Sequence, residues 1–333
     1  MDVKIKPETP LKWGLISTAR INRALIKPLR ASERNELAAV ASRTQESADQ
    51  YAAEWAVPQA FGSYQAMLDD PGIDVVYNSL PNSLHTEWTV KALQAGKHVL
   101  CEKPLAVTLE EVDAMQAAAD DSGKFLTEAF MYRHHPQTLR VKEMVEQGVV
   151  GNVQLVKGEF TYNMASETNV RLDPGLGGGS VWDVGCYPVS YTRYILGSEP
   201  EEVFGWQVKG NSGVDEVFAG QMRFPGGIMA QFDSGFRSPY RSRIEIVGSR
   251  GALVVPHPFN PGLEVDVRLW DGEERETIKM PPQELYIGEV EDLADAILLG
   301  KAPRISLAHS RDNVKTILAL LRSAASGKPV ALA

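Results

Sequence analysis

Two hydrophobic rhythms divide this chain. Up to about residue 132, compact apolar runs alternate with stretches of helical spacing. LKWGLIS (11–17), NELAAVASR (35–43), DVVYNSLP (74–81), HVLCEKPL (98–105) and FLTEAFMY (125–132) read as strands. ARINRALIKPLRAS, TQESADQYAAEWA, HTEWTVKALQAGK and LEEVDAMQAAADDSGK read as helices, and FGSYQAMLDDPGI adds a shorter helix-like piece. Thr108, followed three residues on by Glu111, opens the last of these with a capping box. Strands without polar alternation, separated by helices of ~10–15 residues, predict a parallel sheet covered on both faces. That is the doubly wound α/β pattern.

Beyond about residue 135 the rhythm changes to period two. VQLVKGEFTYNM, EEVFGWQVKG, EVFAGQMRF, GIMAQFDSGF, SRIEIVGSRGALVV and LEVDVRLW alternate apolar with polar residues, and turns such as PGG and SRG link several of them. This predicts a large, open, mainly antiparallel sheet with one solvated or interface-forming face. GEVEDLADAILLG and SRDNVKTILALLRSAASG end the chain as helices. The expected division is an N-terminal arm (1–10), a dinucleotide-binding domain (11–132) and a substrate and oligomerisation domain (133–333). The helix at 136–148 suits either domain, and the final helices suit packing back on the first.

Composition narrows the partners. With 333 residues, 44% hydrophobic and 23% charged, the chain lies in the globular range. A net charge of −9 argues against a nucleic-acid surface or docking on anionic lipid and leaves small molecules. Cys101 and Cys186 match no metal-ligand spacing. They suit two free thiols in a reducing compartment, or at most one disulfide. No stretch is apolar enough for a signal peptide or a membrane span, so the cytoplasm is expected. His134 and His135 are adjacent, point in different directions and lack a third ligand, so they read as structural and no metal is expected.

The chemistry begins in WGLISTARINRA (13–24), where a dinucleotide-binding turn carries three glycines. Ser17, Ala19 and Asn22 occupy those places. One reading makes them the caps of an ordinary helix. The other makes Ser17, Thr18, Ala19, Arg20 and Ile21 a rebuilt phosphate turn, with hydroxyl donors and the open amides of a helix N-terminus. The second strand decides for the latter: it ends in ASRT, placing Ser42 and Arg43 where an NAD site has a carboxylate. A guanidinium there forks onto a 2′-phosphate, with Ser42 or Thr44 adding hydroxyls, which predicts NADP(H).

Two further stretches carry reactive groups. CEKPL (101–105) closes a parallel strand at the end where ligands bind. Lys103 there can stabilise a developing oxyanion, and Glu102 can orient a cofactor amide or ribose. GLGGGSVWDVGCYPVS places Asp183 and Tyr187 four residues apart, on one face of a helix. A phenol beside a lysine and a cationic nicotinamide would titrate low and exchange the proton that accompanies hydride transfer. Gly177, Gly178 and Gly179 give a loop able to approach a ligand.

Glu102-Lys103-Pro104 together with Gly178-Gly179-x-x-x-Asp183-x-Gly185-x-Tyr187 resembles the glucose–fructose oxidoreductase/inositol dehydrogenase (Gfo/Idh/MocA) family. PNSLHTEWTVKALQAGKHVLCEKPL and EAFMYRHHPQ look like family segments, and the likeness runs from about Leu11 to the end. It implies a Rossmann domain followed by an α/β domain whose open sheet makes the subunit contact of a homodimer or homotetramer. It further implies that Lys103 binds the reacting oxygen, Asp183 orients a substrate hydroxyl and Tyr187 is the acid/base. Ser79, Leu80, Pro81, Asn82 and His85 would line the cofactor, the last three by its nicotinamide ribose. Arg133 and Trp182 would lie near the nicotinamide or substrate, and Tyr286 would reach the cofactor from the other side. The substrate pocket itself is expected from strand ends and loops around Phe160–Met164, Arg171 and Tyr240, with Phe160 and Arg171 binding the substrate. The implied activity is NADP(H)-dependent oxidation or reduction of a sugar or polyol. Its rivals are an aldose–aldose oxidoreductase with non-dissociating cofactor, a trans-dihydrodiol dehydrogenase and a non-catalytic NADP-sensing regulator. Retention of Lys103, Asp183 and Tyr187 speaks against the last.

Overall fold

The computed structural model describes residues 9–332, so the expected N-terminal arm lies almost wholly outside the described residues. The chain forms two compact units, with crossings at Met131/Tyr132, Leu285/Tyr286 and Ser310/Arg311.

The first unit alternates strand and helix as the apolar runs predict. Its elements are β1 (Leu11–Ile16), α1 (Asn22–Ala31), β2 (Asn35–Ala41), α2 (Gln45–Trp55), β3 (Gln59–Phe61), α3 (Tyr64–Leu68), β4 (Val75–Asn78), α4 (His85–Gln94), β5 (His98–Glu102), α5 (Leu109–Ser122) and β6 (Leu126–Ala129). The six strands are parallel, in the order β3-β2-β1-β4-β5-β6. This order reverses direction between β1 and β4, which opens a crevice beyond their carboxyl ends. Side-chain caps start three of this unit's helices, α2, α3 and α5. Thr44 accepts the Ser47 amide, Ser63 that of Ala66, and Thr108 and Glu111 form the expected capping box. Strands β5 and β6 end earlier than their apolar runs suggest. Pro104 has no amide for a ladder, and the Phe130 amide turns back to the Glu128 carbonyl.

The second unit begins with α6 (Pro136–Glu146) and β7 (Val153–Asn163), followed by α7 (Cys186–Leu196). Seven strands come next: β8 (Glu202–Lys209), β9 (Asp215–Arg223), β10 (Met229–Gly235), β11 (Arg237–Gly248), β12 (Ala252–Pro256), β13 (Asp266–Trp270) and β14 (Arg275–Lys279). The chain then returns to the first unit for α8 (Ile287–Leu299), runs through α9 (Leu307–Ser326) and ends in β15 (Val330–Ala331). The nine strands lie in the order β14-β13-β12-β11-β7-β10-β9-β8-β15. All neighbours are antiparallel except β7 and β10, which run parallel. In β9 buried and exposed residues alternate, so one face packs inward and the other is open.

The core of the first unit joins Trp13, Leu15, Leu25, Leu29 and Tyr77 to Val290, Leu293 and Ala294 of α8. Trp13 is fully buried, and its indole N–H donates to Asn35 at 2.7 Å. Arg34, 5% exposed, fastens α8 to the start of β2. Its Nε–H donates to Glu291 at 2.9 Å, and its fork also pairs with Asp295. Removing one member of a buried ion pair strands its partners, but both carboxylates here are partly wet, which discounts the cost. Arg34→Ala is therefore expected to lower the unfolding free energy by about 2 kcal/mol, read from the shift in urea midpoint. A shift indistinguishable from that of an exposed Arg→Ala change would contradict the anchoring role.

Candidate functional site

The turn from β1 to α1 adopts glycine geometry without glycine. Ser17 has φ of +80°, a left-handed backbone that L side chains rarely occupy. A closed circuit of hydrogen bonds holds it there. The Ala19 amide donates to Ser17 Oγ at 3.1 Å, and Ser17 Oγ lies 3.0 Å from Ser79 Oγ. Ser79 Oγ donates to Asn22 Oδ1 at 2.6 Å, and Asn22 Nδ2 donates back to the Ser17 carbonyl at 2.7 Å. If Ser17 donates to Ser79, each proton in the ring has its own acceptor. Asn22, in the third glycine's place, is fully buried.

This changes the expected roles within the turn. The hydroxyls of Ser17 and Ser79 and the Ala19 amide are engaged internally rather than turned to a phosphate. The amides of Thr18, Arg20 and Ile21 meet no acceptor among the described residues. They stand at the start of a ten-residue helix, where an anion is favoured. At the end of β2, Ser42 is buried while Arg43 is exposed. Thr44 caps α2, so its oxygen is already used. The open amides fit the phosphate chain of a dinucleotide.

Two neighbouring strand ends complete this side. The Lys103–Pro104 peptide is cis, and the Lys103 amide donates to Glu102 at 3.2 Å. The other oxygen of Glu102 accepts the Tyr77 hydroxyl. Tyr77 is fully buried at the end of β4; burial, and then the Glu102 charge, push its phenol well above the usual range. His85 departs from expectation. It is fully buried, with its ring nitrogens 2.9 Å from the Pro104 carbonyl and 2.8 Å from the Leu80 carbonyl. A neutral ring donates to only one of these two carbonyls, so His85 ties one loop by a hydrogen bond, packs against the other, and presents no exposed face to a ribose. Burial holds it below the normal imidazole range. Glu128, 1% exposed, accepts the Leu105 amide at 2.8 Å, a second support that the motif alone did not suggest. Tyr286 immediately precedes α8, makes no side-chain cap bond to it, and packs on the core of the same unit.

In the second unit Asp183 and Tyr187 are not on one α-helix. Val181–Gly185 is a single π-helical turn, and α7 begins at Cys186. Such turns recur at functional sites. Asp183 Oδ2 accepts Arg171 Nε–H and the Tyr162 hydroxyl, both at 2.9 Å. The Asp183 charge raises Arg171 above its ordinary value, while burial and then Asp183 raise Tyr162. Tyr162 is a member of this site that the sequence did not single out. Tyr187 is 5% exposed, with its ring centroid 5.2 Å from Phe160, 5.4 Å from Phe259 and 5.8 Å from Tyr132. Trp182 is buried in the π-turn. Arg133 is buried, and its guanidinium stacks 3.7 Å over Tyr194, about two helical turns beyond Tyr187.

The glycine run approaches the chain itself. A Cβ on Gly178 would strike the Arg171 carbonyl, and one on Gly179 (φ +130°) the Asp215 carboxylate. That carboxylate, also not singled out by the sequence, accepts the Ser180 hydroxyl at 2.6 Å and the Val181 amide at 2.8 Å. It therefore pins the start of the π-turn. His135 caps α6 through Nδ1, and both cysteines are free and buried.

The two units correspond to two family models. Residues 11–130 match the oxidoreductase family with an NAD-binding Rossmann fold, and residues 138–254 match the GFO/IDH/MocA C-terminal domain. The D-xylose 1-dehydrogenase (NADP(+)) 2 of Haloferax volcanii is 36% identical over 327 residues, covering 97% of this chain and 100% of that one. An aldose–aldose oxidoreductase from Caulobacter crescentus, solved with glycerol, superposes with a TM-score of 0.91 at 27% identity, covering 97% of this chain and 100% of that one. A 3-ketoreductase from Actinomadura kijaniata, solved with NADP and TDP-benzene, gives 0.90 at 29% identity, over 95% and 98% of the two chains. The chain belongs to the Gfo/Idh/MocA family of oxidoreductases.

Asp215 generates a pH prediction. Burial lifts its carboxyl to about 6, against the donors that lower it. Between the unfolded value near 3.8 and about 6, the folded chain keeps a proton that the unfolded chain releases. Rising pH through that window therefore removes stability, by up to about 3 kcal/mol. Asp215→Asn abolishes the titration, so its stability relative to wild type should rise between pH 4 and pH 7. Urea midpoints across that range measure it, and a flat difference would show that the carboxyl is not held protonated.

Proposed function

We propose that the chain is an NADP(H)-dependent oxidoreductase acting on a sugar or related polyol at a carbonyl or hydroxyl carbon. The observation that carries this reading is the paired Asp183 carboxylate presented on the same short segment as the Tyr187 phenol. NADP is supported by exposed Arg43, by the open amides of the β1–α1 turn, and by relatives described with that cofactor. When bound, the nicotinamide supplies or accepts the hydride. Lys103 binds the reacting oxygen and stabilises its negative charge. Tyr187 gives a proton to that oxygen in reduction and takes it in oxidation. Asp183, its Oδ2 fixed by Arg171 and Tyr162, orients a neighbouring substrate hydroxyl. Glu102, gripped by Tyr77 and by the Lys103 amide, fixes the backbone from which Lys103 projects.

A second reading, an aldose–aldose oxidoreductase that keeps its cofactor, is favoured by the likeness to the Caulobacter crescentus enzyme. Mass analysis of nucleotide released on denaturation separates the two, since non-dissociating NADP(H) leaves with the purified protein. A homodimer or homotetramer through the open face of the nine-stranded sheet is part of the same proposal. Trp206 and Val208, 60% and 63% exposed on β8, supply apolar contact area for it. Two buried free thiols support a reducing, cytoplasmic setting.

The direct test measures NADP(H)-linked turnover over an aldose panel. Lys103→Met and Tyr187→Phe are each expected to cut kcat/KM about a hundredfold or more, with nucleotide affinity little changed. Arg43→Ala should raise the KM for NADP(H) and leave NAD(H) use alone. Unchanged rates in both catalytic variants would end this mechanism.

A further inference from the structure

The aromatic contacts of Tyr187 continue outward into a feature that the proposed chemistry does not use. Phe160 meets Tyr187 edge-on, and its other side meets Tyr240 at 6.3 Å and 87°. Tyr240 in turn stacks on His257, with centroids 6.2 Å apart and planes 16° from parallel. Tyr240 is 50% exposed and His257 is also exposed, while Phe160 is half-buried. The series thus runs from the buried phenol to an open pair of rings.

Three local devices present that pair. Tyr240 sits where the register of β11 against β7 breaks, between Arg237 and Arg241. A break of this kind re-aims a side chain. Thr161 Oγ1 donates to the Pro239 carbonyl at 2.7 Å, which ties the irregular stretch to β7. His257 has φ of +49°, one of three non-glycine residues in the positive region among the described residues. Backbone in that region costs about 1–3 kcal/mol and persists where the surroundings impose it. Its amide donates to the Ser242 carbonyl at 3.1 Å.

We infer that Tyr240 and His257 form an outer subsite for the second ring of a glycoside whose first ring is held at Tyr187. The inference rests on the sugar-oxidoreductase reading above. Exposed rings offer apolar faces that the C–H face of a pyranose covers, whereas water must otherwise solvate them. The charges nearby select a neutral ligand. Arg237 pairs with Glu216 and, at 3.1 Å, with Glu167. Arg241 pairs with Glu159 and, at 2.9 Å, with Asp233. Arg171 is engaged by Asp183. With these three cations each already matched by a carboxylate, a diphosphate or carboxylate linkage gains little here. An uncharged disaccharide is the better fit.

Calorimetric titration with glucose and with cellobiose, at saturating NADPH, which cannot accept a hydride from either sugar, tests the subsite apart from catalysis. Wild type is expected to bind cellobiose about tenfold more tightly than glucose, equivalent to ~1.4 kcal/mol. Tyr240→Ala should erase that difference by weakening cellobiose binding about tenfold more than glucose binding, while Tyr240→Phe should keep it. The half-exposed position leaves the core untouched by either change, and circular dichroism of each variant checks that the fold is kept. Equal affinity of wild type for both sugars, absent binding of either, or a loss in Tyr240→Ala that affects both alike would overturn the subsite. Should no sugar be turned over while the Tyr240-dependent preference for cellobiose persists, the subsite stands and the catalytic reading falls. Should glucose be turned over without that preference, the catalytic reading stands and the subsite falls.

Discussion

The hydrogen-bond circuit through Ser17, Asn22 and Ser79 is the constraint on which the dinucleotide side of this protein depends. A left-handed residue other than glycine costs about 1–2 kcal/mol. Here several buried or half-buried hydrogen bonds, each worth about 0.5–1.5 kcal/mol net, offset that cost. The same bonds fix the end of β1, the end of β4 and the first residue of α1 relative to one another. The amides of Thr18, Arg20 and Ile21 inherit their direction from that arrangement. In a glycine-rich turn the chain reaches this shape because nothing forbids it. In this one the shape is imposed by side chains.

Polar side chains serve the same end elsewhere. In the second unit Asp215 holds the start of the π-turn, and Arg171 with Tyr162 holds Asp183. In the first, Tyr77 holds Glu102, and the buried His85 ring lies between two loop carbonyls and donates to one of them. In each case a side chain or loop of the candidate site is held in place by a polar partner from another part of the chain. Burial makes such supports costly to lose, since a buried polar atom left without a partner costs about 1–3 kcal/mol.

The strands and the change from parallel to mainly antiparallel sheet were legible because they rest on local periodicity. The paired motifs around Lys103 and Tyr187 pointed to the family through residues close together in sequence. What stayed hidden were long-range supports. Ser79 lies 57 residues from Asn22, and Asp215 lies 35 from Ser180, with no spacing rule joining either pair. Asn22 looked like a missing glycine because only its distant partner reveals its use. Four-residue spacing suggested that Asp183 and Tyr187 share an α-helical face, but the π-turn at Val181–Gly185 changes that geometry. His85 read as a ribose contact from its place beside Pro81 and Asn82, and only its burial against two carbonyls assigns it to the scaffold.

Equilibrium binding of NADPH to wild type and to Asn22→Ala tests most directly whether a turn without glycines serves as the phosphate site. The substitution removes both Asn22 bonds and leaves the Thr18, Arg20 and Ile21 amides in place but unguided. The account predicts measurable NADPH binding in wild type and a loss of about tenfold or more, ~1.4 kcal/mol, in a variant that still shows native circular dichroism. Absence of NADPH binding in wild type, or equal affinity in the two proteins, would contradict it.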